Sequence, residues 1–447
     1  MKHFLKIVLV VIFTLGFNES RANTLFDSLN SAYLNNSKLN AERANMRASK
    51  EEKRESIGEF LPSVTISGYV SEQDNKNPGD DTNFRPSEQS IEIEQKIFQG
   101  FSGVSNLRKK MYGQDLAEFK LKKTEQETLL AAAKAHTDLL LNKKKVNINL
   151  MNIDLLERQV ETDQNRLEKG EINLADLAQS ESSLAGARAE LIAAQTELVT
   201  SKANFEKIIG KKSSENIQEI KKTNLRLPES LATAYNLSNS ENPDLQIAML
   251  EYKQSEMDVA IAGSELSPSA TLSYKIAEQD NVSATVKDRT SRTLKATASW
   301  PLFAGGSNLF SLRKAKELRN QKELLFQNSK MEAETEVANA WSKYQSAKSV
   351  LESINTQVKA AEIANEGITL EYESGNSRTT LEVIQSKANL LNSRISLATS
   401  ERDFLISQFS LLSSIGHLTA QQLNLPGVEH FKRKTAAERK KLKEAQK

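Results

Sequence analysis

The sequence predicts a mainly α chain with a small β part, built as one unit written twice. Three observations carry that prediction. Landmarks recur at a near-constant offset, apolar residues keep a seven-residue period over two long stretches, and four short runs alternate with period two. The composition agrees, with aromatics at 6%, eight prolines and a mean hydropathy of −0.51. Such a chain is polar and helix-rich, with little material for one large globular core. Its 60 basic and 58 acidic residues leave a net charge of +2, so no global field attracts nucleic acid.

At the start, Lys2, His3 and Lys6 flank an apolar run from Leu5 to Phe17, and Ser20-Arg21-Ala22 follows as a small-x-small site. That layout predicts a secretory signal peptide over residues 1–22, with the mature chain beginning at Asn23. The run is too short for a spanning helix, and a buried N-terminal helix is the bland alternative. No later stretch approaches 18 continuous apolar residues. Export without a spanning helix leaves the periplasm, the exterior or an outer-membrane barrel. With no cysteine in the sequence, disulfides, thiolate metal sites and a thioether-linked lipid are not expected.

The duplication is read from pairs. Phe60-Leu61-Pro62 returns as Leu266-Ser267-Pro268, Ile97-Phe98 as Leu302-Phe303, Gly170 as Gly375, and Ile209-Gly210 as Ile415-Gly416. Expected boundaries are 23–225 for the first repeat, 226–425 for the second, and 426–447 for a basic polar tail.

After each glycine come strict sevens: Leu177, Leu184, Leu191, Leu198 and Phe205, then Val383, Leu390, Leu397, Phe404 and Leu411. Beside them run Ala178, Ala185, Ile192 and Val199, then Ile384, Leu391, Ala398, Leu405 and Leu412. A sustained seven-residue period predicts coiled-coil packing, where an ordinary amphipathic helix would drift toward 3.6. The proline-free stretches before each glycine predict helical rods on the order of 100 Å at about 1.5 Å per residue. Gly170 and Gly375 are then turns at which each rod doubles back, since glycine tolerates positive φ.

Four alternating runs predict strands near 63–72, 87–98, 270–279 and 292–303. Val64, Ile66 and Val70 alternate with Thr65, Ser67 and Tyr69; Ile91, Ile93 and Ile97 alternate with Glu92, Glu94 and Lys96. Leu272, Tyr274 and Ile276, then Leu294, Ala296 and Ala298, do the same in the second half. The joining segments QDNKNPGDDTNFRP and DNVSATVKDRTS are polar and predict exposed loops. Each strand has the length of a tilted transmembrane strand. Because an open sheet cannot span lipid and four strands are too few for a barrel, spanning requires several chains to share one. The other reading is two hairpins exposed on a soluble protein, which are marginal in water.

With its two Pro-to-strand junctions, QKIFQG and WPLFAGG, the two glycine turns, and Asn242-Pro243-Asp244-Leu245 (Asn36-Ser37-Lys38-Leu39 in the first half), the chain resembles the TolC family of outer-membrane factors. The likeness runs from Asn23 to about Leu425. It implies a homotrimer, with twelve strands in a shared β-barrel and twelve long helices forming a periplasmic α-barrel. It also implies a cell outer-membrane location extending into the periplasm. Residues 211–228 and those after Ile415 would form a belt.

The resemblance further implies a periplasmic gate. Asp176 fits the acid after the first turn, with Ala175 where the family has threonine. Tyr372 fits the tyrosine before the second glycine, and Arg378 the arginine of that turn. Glu382 fits the first of two constricting acids; Gln385 replaces the second, so a doubled acidic ring and its strong cation selectivity are not carried over. Arg378 would pair with Asp176 across helices, and copies of Glu382 would meet at the axis. Gly170 and Gly375 mark the ends that would contact a periplasmic adaptor, itself joined to an inner-membrane transporter.

An enzyme reading finds little. His136, His417 and His430 lack metal-ligand spacing, the glycine pairs complete no phosphate-binding motif, and no cofactor is expected. The expected function is passive conduction in an efflux pump or type I secretion system. The rival is a periplasmic coiled-coil tether without a pore.

Overall fold

The computed structural model describes residues 24–77, 80–212, 217–218, 225–282, 286–374 and 378–431. The expected signal peptide, Gly375 and the basic tail from residue 432 on lie outside the described residues. The helices are α1 (Leu25–Asn35), α2 (Ser37–Gly58), α3 (Ser102–Glu168), α4 (Leu174–Ile209), α5 (Leu231–Glu241), α6 (Pro243–Ser264), α7 (Ser307–Glu373) and α8 (Thr380–Ser414). The strands are β1 (Ser63–Val70), β2 (Gln73–Asn77), β3 (Asp80–Phe84), β4 (Ser87–Gln99), β5 (Ser269–Asp280) and β6 (Asp288–Ser299). None of the described helices is long and apolar enough to cross a membrane.

The duplication is visible in three dimensions. α3 and α7 both have 67 residues, and α2 and α6 both have 22. Between α1 and α2 the chain breaks at Asn36, whose side chain accepts from Leu39 N at 3.1 Å and donates to Ile208 O at 3.0 Å. In the second copy Asn242 makes the corresponding break and donates to Ser414 O at 3.0 Å. There Pro243 opens the helix, a place where its missing N–H costs nothing, and it drives the preceding residue extended. Each copy then closes on a glycine, Gly210 (φ 72°) and Gly416 (φ 80°). A Cβ on Gly416 would lie 2.2 Å from Glu241 O, so only glycine fits.

Two compact units cut across the repeats. One comprises residues 1–40, 122–242 and 333–447; the other comprises 41–121 and 243–332. The first holds the largest apolar core, where Leu29, Leu129, Phe205, Phe409, Ile415 and Leu418 are fully enclosed. Leu418 and Leu425 belong to the segment after Ile415, which thus plugs this core rather than trailing from it. His136 lies here too, bonded through Nδ1 to Ser28 Oγ at 2.9 Å, with Nε2 unpartnered. Burial drops its pKa to about 4, so the ring is neutral.

Also in this unit, the seam of α4 differs from the expected pair of columns. Leu177 and Phe205 are buried, together with Ser180, Ala187, Ala194 and Ser201. Ala178, Ala185, Ile192 and Val199 instead face away, Ile192 and Val199 being 65% and 67% exposed. The reason is geometric: positions three and four apart share a face, whereas neighbours in sequence do not. On α8 the second column does turn inward, with Ala398, Leu405 and Leu412 buried.

The second unit carries a four-stranded antiparallel sheet in the order β1-β4-β5-β6. Val64, Ile93, Tyr274 and Leu294 form one cross-strand row, and Thr65, Glu92, Lys275 and Thr293 the next. One face is therefore apolar and the other polar, as the alternation requires. Two expectations are corrected. A bulge between Lys96 and Phe98 shifts the phase, so Phe98, not Ile97, continues the apolar face opposite Ala270. The first joining segment is not all loop, because β2 and β3 pair as a hairpin. β6 also runs from Asp288 to Ser299, earlier than the alternation of apolar residues marks it.

Candidate gate at the ends of the long helices

The turn from α3 to α4 is built on Gly170, at φ 72°. Its N–H donates to Leu167 O and that of Glu171 to Arg166 O, both at 2.9 Å, the paired closure of a left-handed helix stop. A Cβ there would meet nothing within 4 Å, so glycine supplies backbone freedom rather than room. Three residues on, Asn173 caps α4. Its Oδ1 accepts from Asp176 N at 3.0 Å, and Asp176 Oδ2 accepts from Asn173 N at 3.3 Å. The second copy repeats this box: Thr379 Oγ1 accepts from Glu382 N at 3.3 Å and Glu382 Oε2 from Thr379 N at 2.8 Å. Asp176 and Glu382 are thus the same position of the two copies, each satisfying an orphan N–H of its own helix.

Glu382 also accepts from Arg378 Nη1 at 3.1 Å, while Arg378 Nε donates to Glu371 at 2.6 Å. The backbone bond from Thr379, with help from Arg378, holds the Glu382 carboxyl below the usual range. The expected Arg378–Asp176 pair is not formed within the chain, because both partners are engaged locally. Gln385 is exposed.

Tyr372 does make a tie, but to a residue the sequence reading missed. Its hydroxyl donates to Asp163 Oδ1 at 2.6 Å and lies 3.0 Å from Thr380 Oγ1. Asp163 has no exposed surface. It also accepts from Gln159 Nε2 at 3.0 Å and, through Oδ2, from Ser180 Oγ. Gln159 Oε1 in turn accepts from Lys387 Nζ at 2.9 Å. The Arg166 guanidinium covers the Tyr372 ring at 4.4 Å. One carboxylate therefore joins α3, α4, α7 and α8. Burial, then the bond to Asp163, raises the Tyr372 pKa, so the phenol stays a donor. Burial lowers that of Lys387, opposed by Asp163 and Glu373.

The signal for Asp163 was available in α3. Val146, Asn149, Asn152, Leu156, Gln159 and Asp163 are buried at spacings of three or four. The seam toward the turn is therefore largely polar. Among the described residues no group of three or more His, Cys, Asp or Glu could hold a metal. The arrangement fastens helices together.

Comparison with known proteins agrees with this architecture. The sequence model of the outer membrane efflux protein family matches twice, over residues 28–211 and 234–417, one copy displaced from the other by 206 residues (234 less 28). The outer membrane efflux protein BepC of Brucella suis is 26% identical over 418 residues, covering 92% of this chain and 90% of that protein. The Campylobacter jejuni CmeC outer membrane channel superposes with a TM-score of 0.81 at 13% identity, over 92% of this chain and 88% of that one. CusC gives 0.79 at 16% identity, over 89% and 92%. With the same family model fitting both halves and this fold shared along nearly the whole length, the chain belongs to the outer membrane efflux proteins, exit ducts that reach from the outer membrane into the periplasm.

Proposed function

We propose that three copies of the chain form the outer-membrane duct of a tripartite assembly, either an efflux pump or a type I secretion system. Substrate passes without chemistry, and an inner-membrane transporter supplies the energy through a periplasmic adaptor. The observation that carries this reading is the open sheet. It has an apolar face and two unpaired outer edges, β1 and β6, and neither edge can stand in lipid unless other strands cover it. Four strands from each of three copies give twelve, within the range of membrane barrels. CusC, similar in fold, is described as forming a transmembrane channel.

Gly170 and Gly375 are the proposed adaptor contacts. Tyr372, Asp176, Arg378, Glu382 and Gln385 lie in the proposed gate, and Asp163 joins them as the buried partner of Tyr372. Asp176, Arg378 and Glu382 shape and charge its mouth, while the Asp163 cluster holds each chain's four helices together. Purified protein in a planar bilayer tests this reading: a detergent-stable trimer with discrete conductance is expected. A protein that inserts no conductance and stays monomeric would favour a tether instead.

A further inference from the structure

The two copies obey one register. In the first hairpin Ser63 lies opposite Glu94. Advancing Ser63 by 206 residues and Glu94 by 205 gives Ser269 and Ser299, which are paired in the second hairpin. Helix starts fix both offsets independently: Ser37 and Pro243 differ by 206 (243 less 37), Ser102 and Ser307 by 205 (307 less 102). Between the copies, β4 lies beside β5 with Ile91 opposite Ile276 and Ser87 opposite Asp280. The same offsets, 205 forward for β4 and 206 back for β5, turn that join into a second one. Ile91 becomes Ala296, and Ile276 becomes Val70.

We infer that β6 pairs antiparallel with β1 of a second copy in this register, Ala296 opposite Val70, Ala298 opposite Gly68 and Trp300 opposite Ile66. The inference rests on the shared-barrel reading and specifies its seam. Three features agree with it. All three pairs lie on the apolar face, which therefore continues across the join; a slip of one residue would set apolar against polar. The pair corresponding to Ser87 and Asp280 becomes Arg292 opposite Asp74, opposite charges, with Asp74 in β2 just beyond the end of β1. Pro301 replaces Lys96 beside the position of the bulge, and a proline, lacking an N–H, is tolerated at an edge or bulge. The seam therefore ends at Trp300, one residue beyond β6. Such a head-to-tail join repeats around a closed ring, unlike a self-complementary β6-to-β6 contact.

The cysteine-free sequence makes the test direct. Val70→Cys with Ala296→Cys, in the full-length protein in membranes, should give covalent dimers and trimers on oxidation that return to monomers on reduction. Facing residues lie about 4.5–5.5 Å apart and diagonal ones about 7–8 Å, beyond disulfide reach. Val70→Cys with Ala298→Cys should therefore link about tenfold less. Linking through the diagonal pair, or through Ala296→Cys alone, would overturn the register. So would a facing pair that fails to link in a protein that still runs as a trimer, leaving the duct reading standing. A parent protein that is monomeric in detergent would overturn both.

Discussion

On the sheet, Ile66 and Leu294 are 78% and 70% exposed, whereas at the helix ends Asp163 and Ser180 have no exposed surface. The chain sorts its side chains in opposite senses in these two regions, and each sense has a physical reason. In the proposed barrel the sheet's apolar face is matched to lipid, where exposure costs nothing and charge costs much. The helix ends have water around them, yet their seam is polar. Hydrogen bonds there are strong while water is kept out, and in the proposed gate they would exchange for bonds to water as the seam opens. A Leu-rich seam would lose its apolar burial on opening with no such replacement. The difference teaches that a permanent surface and a separable one can be told apart by what each buries.

The sharpest way to break that comparison is to put a charge on the sheet. Ile93→Arg should cost about 2–4 kcal/mol per chain if the position lies near the bilayer midplane, whereas Glu92→Arg, on the polar face, should cost far less. Urea titration of the protein folded into lipid vesicles measures both. Equal costs would mean that the two faces do not see different solvents.

His136 offers a second contrast, a buried polar group without the web that Asp163 has. Its folded pKa of about 4 lies below the ordinary 6.5, so the unfolded chain binds the extra proton. Stability is thus complete above pH 6.5 and is lost as pH falls toward 4, by about 3 kcal/mol per chain at most. Thermal melts across that window should show the loss, and His136→Leu should flatten it. An unchanged slope would assign the loss to other groups.

Within the helix ends the effects should be graded. Tyr372→Phe removes a hydrogen bond to a buried carboxylate, worth about 1.5–3 kcal/mol, and should raise resting conductance in planar bilayers. Arg378→Ser removes only half-exposed pairs and should leave stability nearly unchanged. If Arg378→Ser opened the channel more than Tyr372→Phe, the mouth rather than the buried cluster would hold it shut.

What was legible in the sequence follows from these physics. Sevens, alternation and repeated landmarks are local patterns, and they gave the long helices, the four strands and the duplication. The bulge at Ile97 was hidden because Ile97 continues the phase of Ile91 and Ile93. The adjacent apolar pair Ile97-Phe98 does not say which of the two joins the apolar face until the partner strand supplies the register. Ile192 and Val199 were read into the seam because period alone does not say which of two adjacent columns turns inward. At the candidate gate, Tyr372 was found through resemblance, but its partner was not. Asp163 lies seven residues before Gly170, in a helix whose buried positions there are largely polar, so the apolar period does not mark it. Asp176 and Glu382 were read as gate charges, although the Asn-x-x-Asp and Thr-x-x-Glu spacings already spelled capping boxes.

The equal length of α3 and α7 has a consequence for how such a chain can vary. Each inserted residue turns everything beyond it by about 100° and advances it by about 1.5 Å. A single insertion in one helix would swing Asp163 or Tyr372 out of the seam, and no nearby substitution could bring it back. Seven residues nearly restore the angle but leave that helix about 10 Å longer than its counterpart. Only a matched insertion of seven in both copies, repeated in α4 and α8, returns the four helix ends to one level. Point substitutions meet no such restriction, so the two halves are free to diverge in residue identity while their helix lengths stay locked.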